Sequence, residues 1–235
     1  MKQYTSHFQI RAFQIAICVL LLCYIGLKPA AAQQKEKKKP YSFLKGADVS
    51  AGVFGQFTHP SANATLRQGT SLSSGALFSL HKSYHWWLGY DVNYGYTRFN
   101  EHYETYNGNG QVNKTPFAEV QTNMNEITAA YLVKGPRLPF GLKPYGEGGL
   151  GALIFSPTNG VVHAGIETLN ISGQTRFAGL YGAGVDMPLI ADHLGARFEY
   201  RNLWYMAPGF HNGGPLVSNR PTVTQEPVIS VYYKF

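Results

Sequence analysis

The segment from Trp87 to Phe99 reads Trp-Leu-Gly-Tyr-Asp-Val-Asn-Tyr-Gly-Tyr-Thr-Arg-Phe, and its pattern decides the fold class. Every second position is apolar or aromatic, namely Leu88, Tyr90, Val92, Tyr94 and Tyr96. The positions between them hold Gly89, Asp91, Asn93, Gly95 and Thr97. Successive side chains of a strand point to opposite faces, so this segment is predicted to be a β-strand with one apolar and one polar face. A tilted strand needs roughly ten residues to cross a bilayer, and this segment is long enough.

The same period of two recurs in seven further segments. They span residues 48–53, 75–81, 126–134, 147–154, 177–186, 196–201 and 229–235. Three positions fit imperfectly: Leu77 would point inward, Gly179 would lie on the apolar face, and Asn202 would interrupt the apolar row. Together with the first segment, they predict an all-β protein of about eight strands.

The connections between the segments alternate in length. Residues 82–86, 135–143 and 187–194 are short connections, whereas 58–71, 100–121, 156–172 and 206–223 are longer and polar. This asymmetry is typical of a transmembrane antiparallel up-and-down β-barrel whose termini lie on the periplasmic, short-turn side. An even number of strands closes the sheet, because lipid offers no partner to an unpaired edge. Under this prediction Glu101 lies in a long loop.

A soluble β-sandwich also alternates and is the alternative fold. The aromatic residues favour the barrel, because they cluster where the two bilayer interfaces would fall. They are Tyr84, Trp86, Trp87 and Phe235 near the short turns, and Phe57, Phe99, Phe155 and Trp204 near the long loops. Charged residues make up only 14% of the chain, against about 25% in an ordinary soluble domain.

The N-terminus has the features of an export signal. Lys2 and Arg11 precede an apolar stretch over residues 12–27. The alanines at 30–32 fit a signal-peptidase cleavage site. We therefore expect residues 1–32 to be a cleaved signal peptide, 33–44 a basic periplasmic tether, and 45–235 the barrel. An uncleaved membrane anchor is the alternative, although the apolar run is shorter than the ~20 residues of a spanning helix.

Cleavage would also change the charge and cysteine content. It would remove three cations and no acid, so the formal net charge would fall from +7 to +4. Both cysteines, Cys18 and Cys23, would leave with the signal. Because the remaining basicity is concentrated in the tether and not spread over a folded face, nucleic acid is not an expected partner.

The C-terminus resembles the last strand of outer-membrane barrels. Ile229, Val231, Tyr233 and the terminal Phe235 place apolar residues at every second position before a final aromatic residue. Over residues 45–235 the chain is similar to small barrels of the OmpA transmembrane-domain and OmpW type. This resemblance implies an outer-membrane location with lipids around the barrel, and it implies that the barrel assembly machinery recognises the last strand.

Three short motifs carry possible chemistry. Gly146, Gly148 and Gly151 fit GxGxxG, but a strand and not a helix is predicted after them, so we expect no dinucleotide cofactor. His81-Lys82-Ser83 resembles the His-x-Ser of lipid A deacylases, yet it lies at the wrong, periplasmic rim. His81 and His85 have no third metal donor at a suggestive spacing. We therefore expect no catalytic residue, no cofactor and no metal ligand.

The polar faces of the strands place many charges in the barrel lumen. The predicted network consists of Asp91, Glu126, Glu147, Asp186, Arg197, Glu199, Arg201 and Glu226. Arg197, Glu199 and Arg201 share one strand face, whose extra cation Glu226, Asp186 or Glu147 would neutralise. Charges confined with little water should pair, because an isolated buried charge is costly. A closed lumen is therefore favoured over a channel or ligand cavity.

These features predict an envelope protein with a structural or surface-interaction role and without catalysis. The alternatives are a narrow pore or carrier for small solutes, which the OmpW resemblance implies, and a lipid-modifying enzyme.

Overall fold

The computed structural model describes residues 46–62, 66–106, 110–112, 117–162, 167–168, 171–190, 193–210 and 220–235. The predicted signal peptide and tether lie outside the described residues. Among the residues that are described, no helix has the length and hydropathy of a membrane-spanning segment.

The described chain is built almost entirely of antiparallel strands. Eight of them are long: β1 (Ala47–Thr58), β4 (Ser71–Ser83), β5 (Leu88–Thr105), β6 (Ala118–Lys134), β7 (Lys143–Val162), β9 (Gln174–Ile190), β10 (Leu194–Met206) and β11 (Pro221–Lys234). Three are short: β2 (Ser61–Ala62), β3 (Leu66–Gln68) and β8 (Glu167–Thr168). A single 3-10 turn, Pro139–Gly141, lies between β6 and β7.

The eight long strands close into an up-and-down barrel. Each pairs with the next long strand along the chain, and β1 pairs with β11 to complete the ring. At this closing seam Val49 lies opposite Tyr233, and Val53 lies opposite Ile229. The predicted fold class, an all-β antiparallel barrel of eight strands, is confirmed.

Side chains alternate between the lumen and the outside along every long strand. On β5, Asn93 is 2% exposed while its neighbour Tyr94 is 44% exposed. Outward apolar side chains form a belt around the barrel, here called the apolar belt, which includes Val49, Val53, Phe78, Val92, Tyr94, Ile127, Tyr131, Leu150, Phe177, Tyr181, Phe198, Tyr200, Ile229 and Val231. Leu77 is buried in the lumen, as its parity predicts. Asn202 is also largely buried, although its position belongs to the outward row.

Three strands continue further than the sequence analysis predicted. β5 runs to Thr105, β6 starts at Ala118 and β7 ends at Val162, so much of the expected loops 100–121 and 156–172 is strand. Outward positions here are polar, as Asn100 and Gln121 illustrate, because these strand ends have passed beyond the apolar belt. The placement of Glu101 in a loop was wrong: Glu101 lies on β5 and is 1% exposed.

Two of the eight aromatic residues assigned to the bilayer interfaces are elsewhere. Phe99 and Phe155 are buried in the lumen, where their rings pack edge to face with centroids 6.4 Å apart. Phe99 has the same parity as Asp91, so its strand position dictates an inward side chain. The other six, Tyr84, Trp86, Trp87, Phe57, Trp204 and Phe235, are exposed.

Gly149 lies where β6 and β7 approach closely. A Cβ atom there would lie 2.1 Å from the carbonyl oxygen of Ala129, whereas a Cβ on the neighbouring Gly148 would meet nothing within 4 Å. We expect Gly149→Ala to lower the free energy of unfolding by about 1–3 kcal/mol, as overpacking does elsewhere. Gly148→Ala is the matched control and should change it by less than about 0.5 kcal/mol. Urea unfolding of the refolded protein measures both values, and equal effects would contradict the close approach.

Candidate functional site

The lumen holds two arginines on β10, each with its own set of acidic partners. The first, Arg197, is fully buried near the short-turn end. Its Nε lies 2.7 Å from Asp186 Oδ1, and its Nη2 lies 2.9 Å from Asp48 Oδ1. The rings of Tyr232 and Tyr145 lie 5.2 and 5.9 Å from its guanidinium carbon. We call Arg197, its two carboxylates and these two tyrosines the Arg197 layer. Its ion pairs join strands β1, β9 and β10.

The second arginine, Arg201, lies one layer deeper and is 0% exposed. Its Nη2 donates a short hydrogen bond to Glu126 Oε1 and lies 3.9 Å from Glu226 Oε2. Its Nε lies 4.0 Å from Glu147 Oε1. We call Arg201 and these three carboxylates the Arg201 layer. A charge-assisted network of this kind stabilises only as a unit, because each member would be an isolated buried charge without the others.

Glu199, between the two arginines on the same strand face, has a different partner. The Tyr145 hydroxyl donates a hydrogen bond of 2.6 Å to Glu199 Oε1. Asp91, Glu147 and Glu199 also come together, with one oxygen of each within 4.8 Å of the others. We call these three residues the carboxylate cluster. Oxygen ligands of this type suit hard divalent cations.

All eight residues of the predicted lumen network are therefore buried inside the barrel. The structure brings Asp186 to Arg197, and Glu126, Glu147 and Glu226 to Arg201, whereas Asp91 and Glu199 face Glu147. Sequence reasoning missed the role of Tyr145. Its position two residues before Glu147 gives it the same inward parity, which would have identified it.

A cluster of buried apolar side chains lies inside the barrel on the long-loop side of the charges. This apolar cap, which the sequence analysis did not predict, contains the buried residues Phe99, Tyr103, Val120, Met124, Leu153, Phe155, Leu180, Leu203, Tyr205 and Phe210. Phe210 comes from the connection after β10 and adopts a left-handed backbone conformation, φ 52°. The Gln174 side chain accepts hydrogen bonds from the backbone N–H groups of Gly209 and Phe210, at 2.9 and 3.2 Å. These bonds hold Gly209 and Phe210 against the start of β9.

Glu101 lies within the cap and not in a loop. Its carboxylate accepts a hydrogen bond of 2.6 Å from the Tyr103 hydroxyl two residues along β5. Both residues are buried, so this carboxyl group is part of the interior packing.

The motifs with possible chemistry are placed by the strands that carry them. His81 is buried and packs edge to face against Tyr145, with ring centroids 6.0 Å apart. The Ser83 hydroxyl accepts a hydrogen bond of 2.6 Å from Lys134 Nζ. His85 is exposed in the turn and stacks on Trp87. The GxGxxG glycines lie within β7, which continues through them to Val162 without a helix.

The residues of the predicted assembly signal form one exposed row on the last strand. Ile229, Val231, Tyr233 and Phe235 all face outward beside the closing seam. The backbone N–H of Phe235 donates to the carbonyl of Ala47 at 3.0 Å, and its ring packs edge to face on Tyr233. The backbone hydrogen bond of Phe235 therefore links the end of β11 to the start of β1.

Comparisons with known proteins bear on the fold. No family model matches the sequence, and no curated protein is similar to it at a significant level. Among solved structures, Neisserial surface protein A is 17% identical with a TM-score of 0.50, over 81% of this chain and 98% of that chain. Ail from Yersinia pestis is 11% identical with a TM-score of 0.46, over 81% and 99%. OprG from Pseudomonas aeruginosa is 14% identical with a TM-score of 0.44, over 82% and 97%.

At these identities the similarity concerns the fold alone. The chain has the fold of small outer-membrane β-barrels, which confirms the resemblance drawn from its sequence.

Proposed function

We propose that the protein is an integral outer-membrane barrel with a closed lumen and a structural or surface-interaction role. One observation carries the proposal: Arg197 and Arg201, the two lumen arginines of β10, are fully buried, and the apolar cap covers them on the long-loop side. A water-filled path would leave such side chains hydrated. The interior is therefore filled by buried, ion-paired side chains. This supports a structural role more than a transport role.

The outward surface supports a location in the membrane. A soluble barrel would not leave so many large apolar side chains exposed in one continuous belt. Lipids of the outer membrane are the proposed partners of this belt, and the assembly machinery is the proposed partner of the last strand. Nucleic acid is not a proposed partner.

The upper ends of β5, β6 and β7 provide the proposed interaction surface. Beyond the belt their outward side chains are polar and linked across strands, as in the hydrogen bond between Arg98 and Gln121. His102 Nδ1 lies 3.3 Å from Glu119 Oε1. This projecting polar sheet is suited to contacts outside the cell, because hydrocarbon would not solvate it.

The placement of His81 and Ser83 favours a non-enzymatic role. His81 is buried inside the barrel at the short-turn end, and the hydroxyl of the half-buried Ser83 accepts a hydrogen bond from Lys134. An enzyme acting on lipid needs a nucleophile that substrate can reach, with a base to activate it. The second candidate is a narrow pore for small solutes, and the excess of carboxylates over arginines around Arg201 would make it selective for cations.

Surface labelling on intact cells tests the proposed location and orientation. We expect Asn159→Cys, exposed on the upper part of β7, to react with a membrane-impermeant maleimide. His85→Cys, exposed in the turn before β5, should react only after the outer membrane is opened. A parent chain in which Cys18 and Cys23 are replaced has no cysteine. It measures the background labelling. Labelling in the reverse pattern would overturn the orientation, and equal labelling of both sites would overturn the membrane location.

A further inference from the structure

The lumen around Arg201 carries far more negative than positive groups. Four buried carboxyl groups, those of Glu126, Glu147, Glu199 and Glu226, act on this guanidinium. Asp91 lies beside two of them, Glu147 and Glu199. Glu126 and Glu226 form ion pairs with Arg201, and Glu147 Oε1 lies 4.0 Å from Arg201 Nε. Several buried carboxylates without a counter-charge would be very costly. Another positive species, either protons or a cation, must therefore neutralise them.

The shortage of positive charge is greatest at the carboxylate cluster. Asp91 comes from β5, Glu147 from β7 and Glu199 from β10, so only closure of the barrel brings them together. Several of their oxygens have no hydrogen-bond partner among the described residues: Asp91 Oδ1, both oxygens of Glu147, and Glu199 Oε2. Buried polar atoms are nearly always bonded, so these oxygens on neighbouring carboxylates indicate a missing partner.

Asn93 gives a second, independent indication. It lies two residues from Asp91 on the same face of β5 and is 98% buried, since only 2% of it is exposed. Its amide faces the Asp91 carboxylate, and neither Oδ1 nor Nδ2 has a hydrogen-bond partner of normal geometry in the described part of the chain. An amide left unbonded in an interior costs about 1–3 kcal/mol. Its amide oxygen is therefore available as a neutral ligand beside the cluster.

We propose that Asp91, Glu147 and Glu199, together with the amide oxygen of Asn93, bind a calcium ion inside the barrel. Ca²⁺ prefers carboxylate and amide oxygens and binds them at about 2.3–2.6 Å, so ligands on opposite sides of the ion lie about 5 Å apart. One oxygen of each carboxylate lies within 4.8 Å of the other two, which is within this span. Mg²⁺ demands near-ideal octahedral geometry and usually keeps several waters, whereas Ca²⁺ accepts a cage of protein oxygens such as this one.

The ion enters while the barrel folds. The Arg197 layer lies below the cluster and the apolar cap lies above it, and all three carboxylates are buried. Calcium therefore links three strands, no two of which are neighbours in the sheet, and it exchanges slowly once the barrel has closed.

Refolding the mature chain into detergent micelles, with Ca²⁺ or with the chelator EGTA, tests the proposal. After gel filtration, elemental analysis should find about one calcium per chain in the first sample. The urea midpoint of that sample should be higher than that of the sample refolded in EGTA. Terbium, which replaces calcium at oxygen sites, should emit when tyrosine is excited, because Tyr145 donates to Glu199. Added Ca²⁺ should suppress this emission.

Isosteric variants assign the ligands. Asp91→Asn and Glu147→Gln should each reduce retained calcium by roughly tenfold or more, since each removes a ligand charge. Asp186→Asn is the matched control: it neutralises a buried carboxylate bonded to Arg197 and should leave calcium retention unchanged. The proposal is overturned if the wild type retains no calcium and unfolds at the same midpoint in both media. That result would mean that protons neutralise the cluster, and it can be obtained even if the variants fail to fold.

Discussion

Replacing Arg201 with Met is expected to lower the free energy of unfolding by about 3–5 kcal/mol. The substitution keeps much of the side-chain volume but removes the positive charge that Glu126 and Glu226 face. Both carboxylates are fully buried, so neither gains water in exchange. Urea unfolding of the refolded protein, followed by tryptophan fluorescence, measures the change.

Arg98→Met is the matched control for this prediction. Arg98 is exposed above the apolar belt and hydrogen-bonded to Gln121, so its loss should cost at most about 1 kcal/mol. Combining Arg201→Met with Glu126→Gln should recover part of the lost stability, because the second change removes one of the unpaired charges. Similar effects of the two arginine variants would mean that Arg201 is hydrated and that the lumen is open.

Deleting Phe235 is expected to remove most of the protein from the outer membrane and leave it aggregated in the periplasm. The residue closes the exposed row of the last strand and bonds the start of β1 through its backbone. Its loss therefore weakens both the proposed recognition signal and the closing seam. Fractionation of the cell envelope, with heat-modifiability on gels as the readout of folded barrel, measures the result.

Phe177→Ala is the control for the deletion. Phe177 is a highly exposed aromatic residue of the apolar belt on β9, away from the terminus, so its removal tests the general loss of lipid-facing surface. This variant should insert at close to the normal level. Normal insertion of the chain lacking Phe235 would show that the last residue is not the assembly signal.

Strand parity allowed the sequence to predict which residues enter the lumen. Asp91, Glu147 and Arg201 are inward because each alternates with apolar residues on its own strand, and that pattern is local. The partners could not be predicted in the same way. Arg201 bonds Glu126, 75 residues away, because strand tilt and register bring β6 and β10 face to face across the lumen. No local pattern encodes that distance.

The apolar cap and the strand ends were missed for a different reason. Phe99 and Phe155 have inward parity, but aromatic residues near a predicted boundary were assigned to the membrane interface. Above the belt the outward side chains become polar, as at Asn100 and His102, so the contrast between the two faces disappears. The sequence pattern therefore ended before the strands did, and Glu101 was placed in a loop.

Single-channel recording in planar bilayers tests most directly whether the lumen is closed. Purified, refolded protein should insert without producing stepwise conductance in salt solution, because the Arg197 layer, the Arg201 layer and the apolar cap block the axis in succession. Truncating the cap with Phe155→Ala should still leave the two charged layers in place and the barrel non-conducting. Steady, cation-selective conductance of the wild-type protein would contradict the closed lumen and favour the pore.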